Sequence, residues 1–449
     1  VHIIDQIHYL SNPDYFKRFD FKAYYDEIFE ALDLIEDGLF NADVKYAIKI
    51  CRTEYRIDEL YKIDFDQIRA ELKESSETDN LLTSMFILRY LERIGDSLLN
   101  IGEALISFVI GNKMRLHQYI ALKESLDIDD TEVIFETVGG ETKSGCKIGK
   151  AVVPNFERKS SEVIFKEGKK RKLQEEVETL QKWNDIAPGL APKVIRFHTH
   201  GTNASMLQEF IAGHNFQEIL LTQDTGLMKE SLFGIIDTVS NLWEKTKIAE
   251  PTAGNYIGQL KKRLPDVLKI HPNYNDEAVK IGKMKKPSIK SLISKAEKIE
   301  SQLKAPFSVF IHGDFNNDNI IYDYNTGKVH FIDLHRSKYT DYIQDVSVFL
   351  VSNFRMPVFD QQLRKRIDFT IQAYYEFAKE FALKHQDNTF DARLALAIVR
   401  NFMTSTRFEL REQFAKEMYM RSVFLLEKLY DHKDKDWETF SFSLAVFDY

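Results

Sequence analysis

The spacing of apolar residues changes near residue 130, and this divides the 449-residue chain before any motif is considered. Upstream the spacing is helical. Leu91, Ile94, Leu98, Ile101, Leu105 and Phe108 step by three and four residues, as one buried stripe of an α-helix requires. Residues 1–125 hold four glycines (Gly38, Gly95, Gly102, Gly111) and one proline, Pro13. Three long helices are expected, at about 13–38, 41–75 and 79–112. Amphipathic helices with short connections imply an antiparallel three-helix bundle.

Downstream the pattern shortens. Residues 133–138, 150–153 and 162–166 read as strands, with Gly139, Gly140, Gly145 and Gly149 clustered between the first two. A charged amphipathic helix at 169–183 follows, then strands near 193–197 and 205–211. Residues 216–304 read as mostly helical with a basic loop at 280–290. Short apolar strands at 308–311, 319–322 and 329–332 surround a polar loop, and 341–440 is helical.

Charge marks the same division. Residues 1–120 hold 14 Lys and Arg against 22 Asp and Glu, whereas the rest of the chain holds 47 of each. A net charge of −8 argues against a dominant nucleic-acid footprint. Two cysteines, Cys51 and Cys146, cannot build a disulfide framework and fit a reducing compartment. No apolar run approaches the roughly 18–20 residues that span a bilayer. The N-terminal VHIIDQIHYL has no basic leader region, so a cytoplasmic protein without membrane insertion is expected.

The stretch from 307 to 336, FSVFIHGDFNNDNIIYDYNTGKVHFIDLHR, carries the chemistry. Phosphoryl transfer asks a protein mainly for positioning and charge neutralisation. The Asp314 carboxylate can take the proton of an attacking hydroxyl. The amide oxygen of Asn319 and the carboxylate of Asp333 are the oxygen ligands that Mg²⁺ prefers.

HGDFNNDN and FIDLHR resemble the catalytic and metal-binding segments of the aminoglycoside phosphotransferase and choline kinase family, within the protein-kinase-like fold. The resemblance spans about residues 130–449. It implies an α+β chain: the N-terminal bundle (1–125), then a two-lobed kinase-like domain with a small antiparallel β lobe (126–215) and a large, mostly helical lobe (216–449). It makes Asp314 the catalytic base, Asn319 and Asp333 the Mg²⁺ ligands, and His312 structural. Further parts follow in family order. VGGETKSGCKIGKAVV resembles the nucleotide-covering hairpin, with Ser144, Gly145 and Lys147 at its tip. It is not a Walker A loop, because Cys146 stands where a lysine is required. Lys166 matches the lysine that pairs with ATP phosphates. Glu176 best matches its glutamate partner, with Glu175 and Glu178 as alternatives. MLQEFIAGHNF resembles the hinge, where the backbone of Glu209 and Ile211 would meet adenine. Asp345 matches an aspartate that steadies the catalytic loop. The sequence departs from the family after Asp333, where Leu334, His335 and Arg336 replace small or aromatic residues, and their role is left open.

The implied activity is ATP- and Mg²⁺-dependent transfer of the γ-phosphate to a hydroxyl of a small molecule. A nucleotide-binding regulator of phosphate physiology with little catalysis is the alternative. That alternative comes from a second resemblance. RYLERIGDSLLNIGEAL (89–105) is similar to the signature of the PhoU family of phosphate-uptake regulators, loosely over 15–112. It implies either a metal site, for which Glu54, Asp58, Glu92 and Asp96 are candidates, or a face for a protein partner or a second copy.

Overall fold

The computed structural model describes residues 1–448 apart from 74–75, 111–115, 117–118, 121–133, 137–146, 154–160, 276–278 and 282–283. Its contacts form two compact units: Val1–Gln174 with Val194–Phe210, and Glu175–Lys193 with Ile211–Tyr449.

In the first unit, α1 (His2–Ile7) and α2 (Tyr15–Arg18) precede three long helices, α3 (Phe21–Asn41), α4 (Val44–Glu71) and α5 (Thr78–Ile110). The first long helix begins later than residue 13, where Pro13 beside Asn12 and Asp14 suggests a start. Phe19 is extended, and Asp20 accepts a hydrogen bond from the Ala23 amide at 3.1 Å, so the helix starts afresh after this cap. Asp43 caps α4 in the same way, through the Lys45 amide at 2.8 Å.

α4 packs along both α3 and α5. The buried line on α5 is Ser84, Leu88, Leu91, Gly95, Leu98, Gly102 and Leu105, whereas Ile101 and Phe108 are 37% and 60% exposed. The expected stripe is thus corrected. The seam repeats every seven residues, and glycines occupy two of its positions. A count of large apolar residues passes over those two glycines and takes in Ile101 and Phe108. Gly102 is required by proximity: a Cβ there would press on Cys51 Sγ and lie 2.9 Å from the Ala47 carbonyl oxygen. A Gly102→Ala chain is expected to lose about 1–3 kcal/mol in chemical denaturation. An unchanged midpoint would show that the helices can part at no cost.

The same unit holds a five-stranded antiparallel sheet in the order β1-β2-β3-β5-β4. The strands are β1 (Ile134–Glu136), β2 (Lys147–Val153), β3 (Ser161–Lys169), β4 (Val194–His200) and β5 (Asn203–Glu209). Val163, Phe165 and Leu207 of the sheet join one apolar cluster with residues of α3, α4 and α5, including Tyr24, Ile50 and Leu98.

The second unit is mainly helical. Its most deeply placed helix, Phe390–Ser405, is buried at every residue. That helix carries Arg393, which pairs with Asp341 and Asp387. All three are at most 4% exposed, and Tyr342 donates to Asp387 at 2.7 Å. Three small sheets complete the unit. β6 (His214–Asn215), β10 (Ile320–Asp323) and β11 (Lys328–Phe331) form one, and β9 (Val309–Ile311) with β12 (Lys338–Thr340) another. The third is a hairpin of β7 (Val279–Ile281) and β8 (Met284–Lys286), in a region expected to be helical and basic loop. Each strand is only three residues long, too short for its alternation to stand out in the sequence. Trp183, fully buried, packs on Phe310, His312 and Phe331 and donates to Ser337 Oγ at 2.8 Å. Among the described residues no helix is long and apolar enough to cross a membrane.

Candidate active site

The site is built on the loop between β9 and β10. Val309, Phe310 and Ile311 are wholly buried and fix the end of the strand. The chain then turns at Gly313, whose φ of +86° belongs to the left-handed region. A side chain there would strike the Arg336 carbonyl oxygen. Asp345, buried near the start of the helix Ile343–Phe354, anchors the turn. Its two carboxyl oxygens accept from the amides of His312 and Gly313, both at 2.7 Å. Burial pushes the Asp345 carboxyl up to about 7, with these two bonds opposing the shift.

His312 is 1% exposed and structural in its contacts. Its Nε2 lies 3.0 Å from the Ile332 carbonyl and its Nδ1 accepts from the Asp314 amide at 3.3 Å, which fixes a neutral ring. Burial pushes its pKa down to about 4, from 6.5. The unfolded chain therefore binds the extra proton between these values. The contribution is present above pH 6.5 and lost as pH falls toward 4, about 3 kcal/mol in all. The melting temperature of the wild type is expected to drop across this window more than that of His312→Gln. Equal drops would remove the assignment. Asp345 works in the opposite sense, and the comparison cancels it because both chains carry it.

Asp314 projects from the loop with its side chain 19% exposed. Oδ1 accepts from Asn316 Nδ2 at 2.8 Å, and Oδ2 pairs with Arg336 Nη1 at 2.8 Å. Asn319 donates from Nδ2 to the Asp314 carbonyl at 2.8 Å, which leaves its Oδ1 as the acceptor for another group. Asn317, fully buried, exchanges two amide hydrogen bonds with Asn353 at 3.0 and 3.1 Å and ties the loop to the helix behind. Asp333 follows β11 with φ +60°, a conformation that costs energy in a residue with a side chain. It accepts from His335 Nδ1 at 2.7 Å, and Arg336 Nε donates to His335 Nε2 at 3.1 Å. Arg336 and His335 thus link the two carboxylates. Asn316 and Arg336 were not singled out from the sequence as partners of Asp314. Their closeness in the chain to Asp314 and Asp333 was the available signal.

Ser144 and Gly145 lie outside the described residues. Lys147 opens β2. Lys166 sits on β3 opposite Ile148 and Met206, and Glu209 ends β5. Glu176 lies in the helix Lys170–Ile186, and Ile211 follows β5 by two residues. In the first unit, burial and then Asp58 raise the Glu54 carboxyl, and Glu92 pairs with Arg89. Among the described residues no three His, Cys, Asp or Glu side chains are placed to hold a metal ion.

Comparison with known proteins adds two family matches. Residues 235–387, which include Asp314, Asn319, Asp333 and Asp345, match the ecdysteroid kinase-like family. Residues 23–105 match the PhoU domain. The phosphate-specific transport accessory protein PhoU of Serratia marcescens is 34% identical over 95 residues, 21% of this chain and 39% of that protein. The PhoU homolog of Clostridium acetobutylicum is 30% identical over 82 residues, 18% of this chain and 37% of that protein. The chain thus spans under two-fifths of the length of these relatives. Among solved structures, an aminoglycoside-3'-phosphotransferase of type VIII aligns at 17% identity and TM-score 0.40, covering 65% of this chain and 100% of that one. An ethanolamine kinase of Plasmodium vivax aligns at 12% identity and TM-score 0.41, covering 72% and 93%. The chain therefore carries a match to the PhoU domain ahead of a separate match to the ecdysteroid kinase-like family.

Proposed function

We propose that the protein is a phosphotransferase that moves the γ-phosphate of ATP to a hydroxyl group of a small molecule. The observation that carries this reading is the loop in which Asp345 holds two backbone amides while Asn319 holds the Asp314 carbonyl. That loop presents one carboxylate and one oriented amide oxygen from the same turn. The family match over 235–387 supports it.

The acceptor hydroxyl would attack the γ-phosphorus, pass its proton to Asp314, and break the bond to the bridging oxygen so that ADP leaves. Asn316 and Arg336 hold Asp314 in place, and Arg336 has to yield Oδ2 for the proton to arrive there. Asn319 Oδ1 and the Asp333 carboxylate are hard oxygen donors that fit Mg²⁺, which commonly keeps waters and substrate phosphates as its other ligands. When bound, that ion supplies charge neutralisation for the phosphates. Ser144, Gly145, Lys147, Lys166, Glu176, Glu209 and Ile211 are carried as nucleotide-binding residues on resemblance, as is the division at 125 and 215. The PhoU domain is read as a face for a protein partner or a second copy, in a cytoplasmic protein. Asp314 argues against a pure nucleotide sensor, because nucleotide binding alone needs no base. The test is transfer of label from γ-labelled ATP, with Mg²⁺, to a panel of hydroxyl compounds. Failure to label any of them, with ATP bound, would favour the regulator.

A further inference from the structure

Arginines gather around the candidate base. Arg336 follows β11, Arg263 lies in the helix Tyr256–Ile270, Arg355 follows the helix Ile343–Phe354, Arg400 lies in the buried helix Phe390–Ser405, and Arg407 in the turn after it. The charge of Asp314 acts on Arg263, Arg355 and Arg400, and Arg336 acts on Arg263, Arg400 and Arg407. Burial, then like charge, pushes Arg263 below its ordinary value, and burial pushes Arg400 down to about 10.

The acids nearby do not balance them. Asp314 is taken by Arg336 at 2.8 Å. Glu409 is held by Arg411 at 2.6 Å. Asp266, 69% exposed, reaches Arg407 only at 3.9 Å. Asp318 is exposed and acts on Arg355, which donates to Ser405 Oγ at 3.2 Å. Among the described residues Arg263 and Arg400 have no carboxylate within 4.0 Å.

Arg400 is the telling member. It is 3% exposed, yet it donates to a neutral group, Gln344 Oε1 at 2.7 Å, and Gln344 in turn donates to the Gly313 carbonyl at 3.1 Å. Its Nε is buried without a hydrogen-bond partner, and so is the Nε of Arg407. A buried guanidinium without a counter-charge is costly unless a ligand supplies one. Through Gln344, Arg400 is joined to the carbonyl of Gly313, the residue before Asp314, and Arg336 touches Asp314 itself.

We propose that the acceptor carries an anionic group, a phosphate or a carboxylate, seated on Arg263, Arg400 and Arg407, with its hydroxyl turned to Asp314. This rests on the phosphotransferase reading and names its substrate class. A planar guanidinium matches both oxyanions with paired donors. The same field repels a cationic acceptor.

The test is calorimetry of the full chain with inorganic phosphate, glycerol 3-phosphate, glycerate and choline, in parallel with ATP. Glycerol 3-phosphate, and glycerate if carboxylate is the group read, is expected to bind the wild type. Binding should weaken at least tenfold in Arg263→Gln and in Arg407→Gln, and less in Arg407→Lys, with ATP affinity within twofold throughout. Melting temperatures within a few degrees of wild type certify the variants. Equal binding by wild type and variants, no binding by either anion, choline bound as tightly as the anions, or loss of ATP in place of the anion would each overturn the proposal. Anion binding lost in the variants, with no labelled product from any acceptor, keeps the anion site and removes the phosphotransferase reading.

Discussion

An Asp314→Asn chain is expected to transfer phosphate roughly 10²–10⁴-fold more slowly than the wild type, the usual range for loss of a positioned general base. Asparagine keeps the shape of the side chain and an oxygen for Asn316, so the loop has no steric reason to move. What it removes is the negative charge that holds Arg336 and the site for the proton. The side chain is 19% exposed and its charge acts on Arg263, Arg355 and Arg400, so the melting temperature is followed to separate lost stability from lost turnover. The measurement is the initial rate of label transfer at saturating ATP, beside ATP affinity by calorimetry. Undiminished turnover would show that the proton leaves by another route and that Asp314 is structural. Lost ATP affinity would place Asp314 in nucleotide binding.

Arg393→Met should be the most damaging single change to the second unit, at about 3–5 kcal/mol, the cost of breaking a buried ion pair from one side. Methionine fills much of the volume but leaves Asp341 and Asp387 buried with no cation. Tyr342 can still donate to Asp387, so part of the charge remains solvated. Asp341 lies two residues before the helix Ile343–Phe354 and accepts from the Ile343 amide at 3.1 Å. Disturbing it therefore disturbs the placement of Asp345 and the loop that Asp345 anchors. Urea denaturation gives the free energy. A variant as stable as the wild type would mean that the two aspartates accept protons at little cost. Replacing all three residues by apolar ones should restore stability better than replacing the arginine alone.

The order of elements was legible because each carries its own local pattern. The strands around Asp314 show as short apolar runs between polar turns, and the helix 170–186 as a charged amphipathic stretch. The start of α3 was misplaced because Pro13 beside Asn12 and Asp14 looks like a helix start, whereas the capping carboxylate of Asp20 decides where the long helix begins. The reach of Asp345 to the loop 32 residues upstream came from family resemblance, since nothing in the spacing of single residues forecasts it. The arginines were invisible for the same reason. They lie on segments as far apart as residues 263 and 407, and only folding shows that they share a neighbour. Arg393 reads in sequence as one of three charges in a largely apolar helix, and its partners lie 52 and 6 residues away.

The path of the chain bears on how the protein can be cut. It passes from one compact unit to the other at 174, 193 and 210, so neither unit is a contiguous fragment. A piece beginning at residue 211 would contain Asp314, Asn319 and Asp333 but would lack Trp183, which fills the space between Phe310, His312 and Phe331 and holds Ser337. Such a fragment would expose the apolar floor of the Asp314 loop to water, and any loss of the proposed activity in it would have a cause unrelated to chemistry. Shortened versions intended to keep this loop intact should retain the chain from before residue 175 onward.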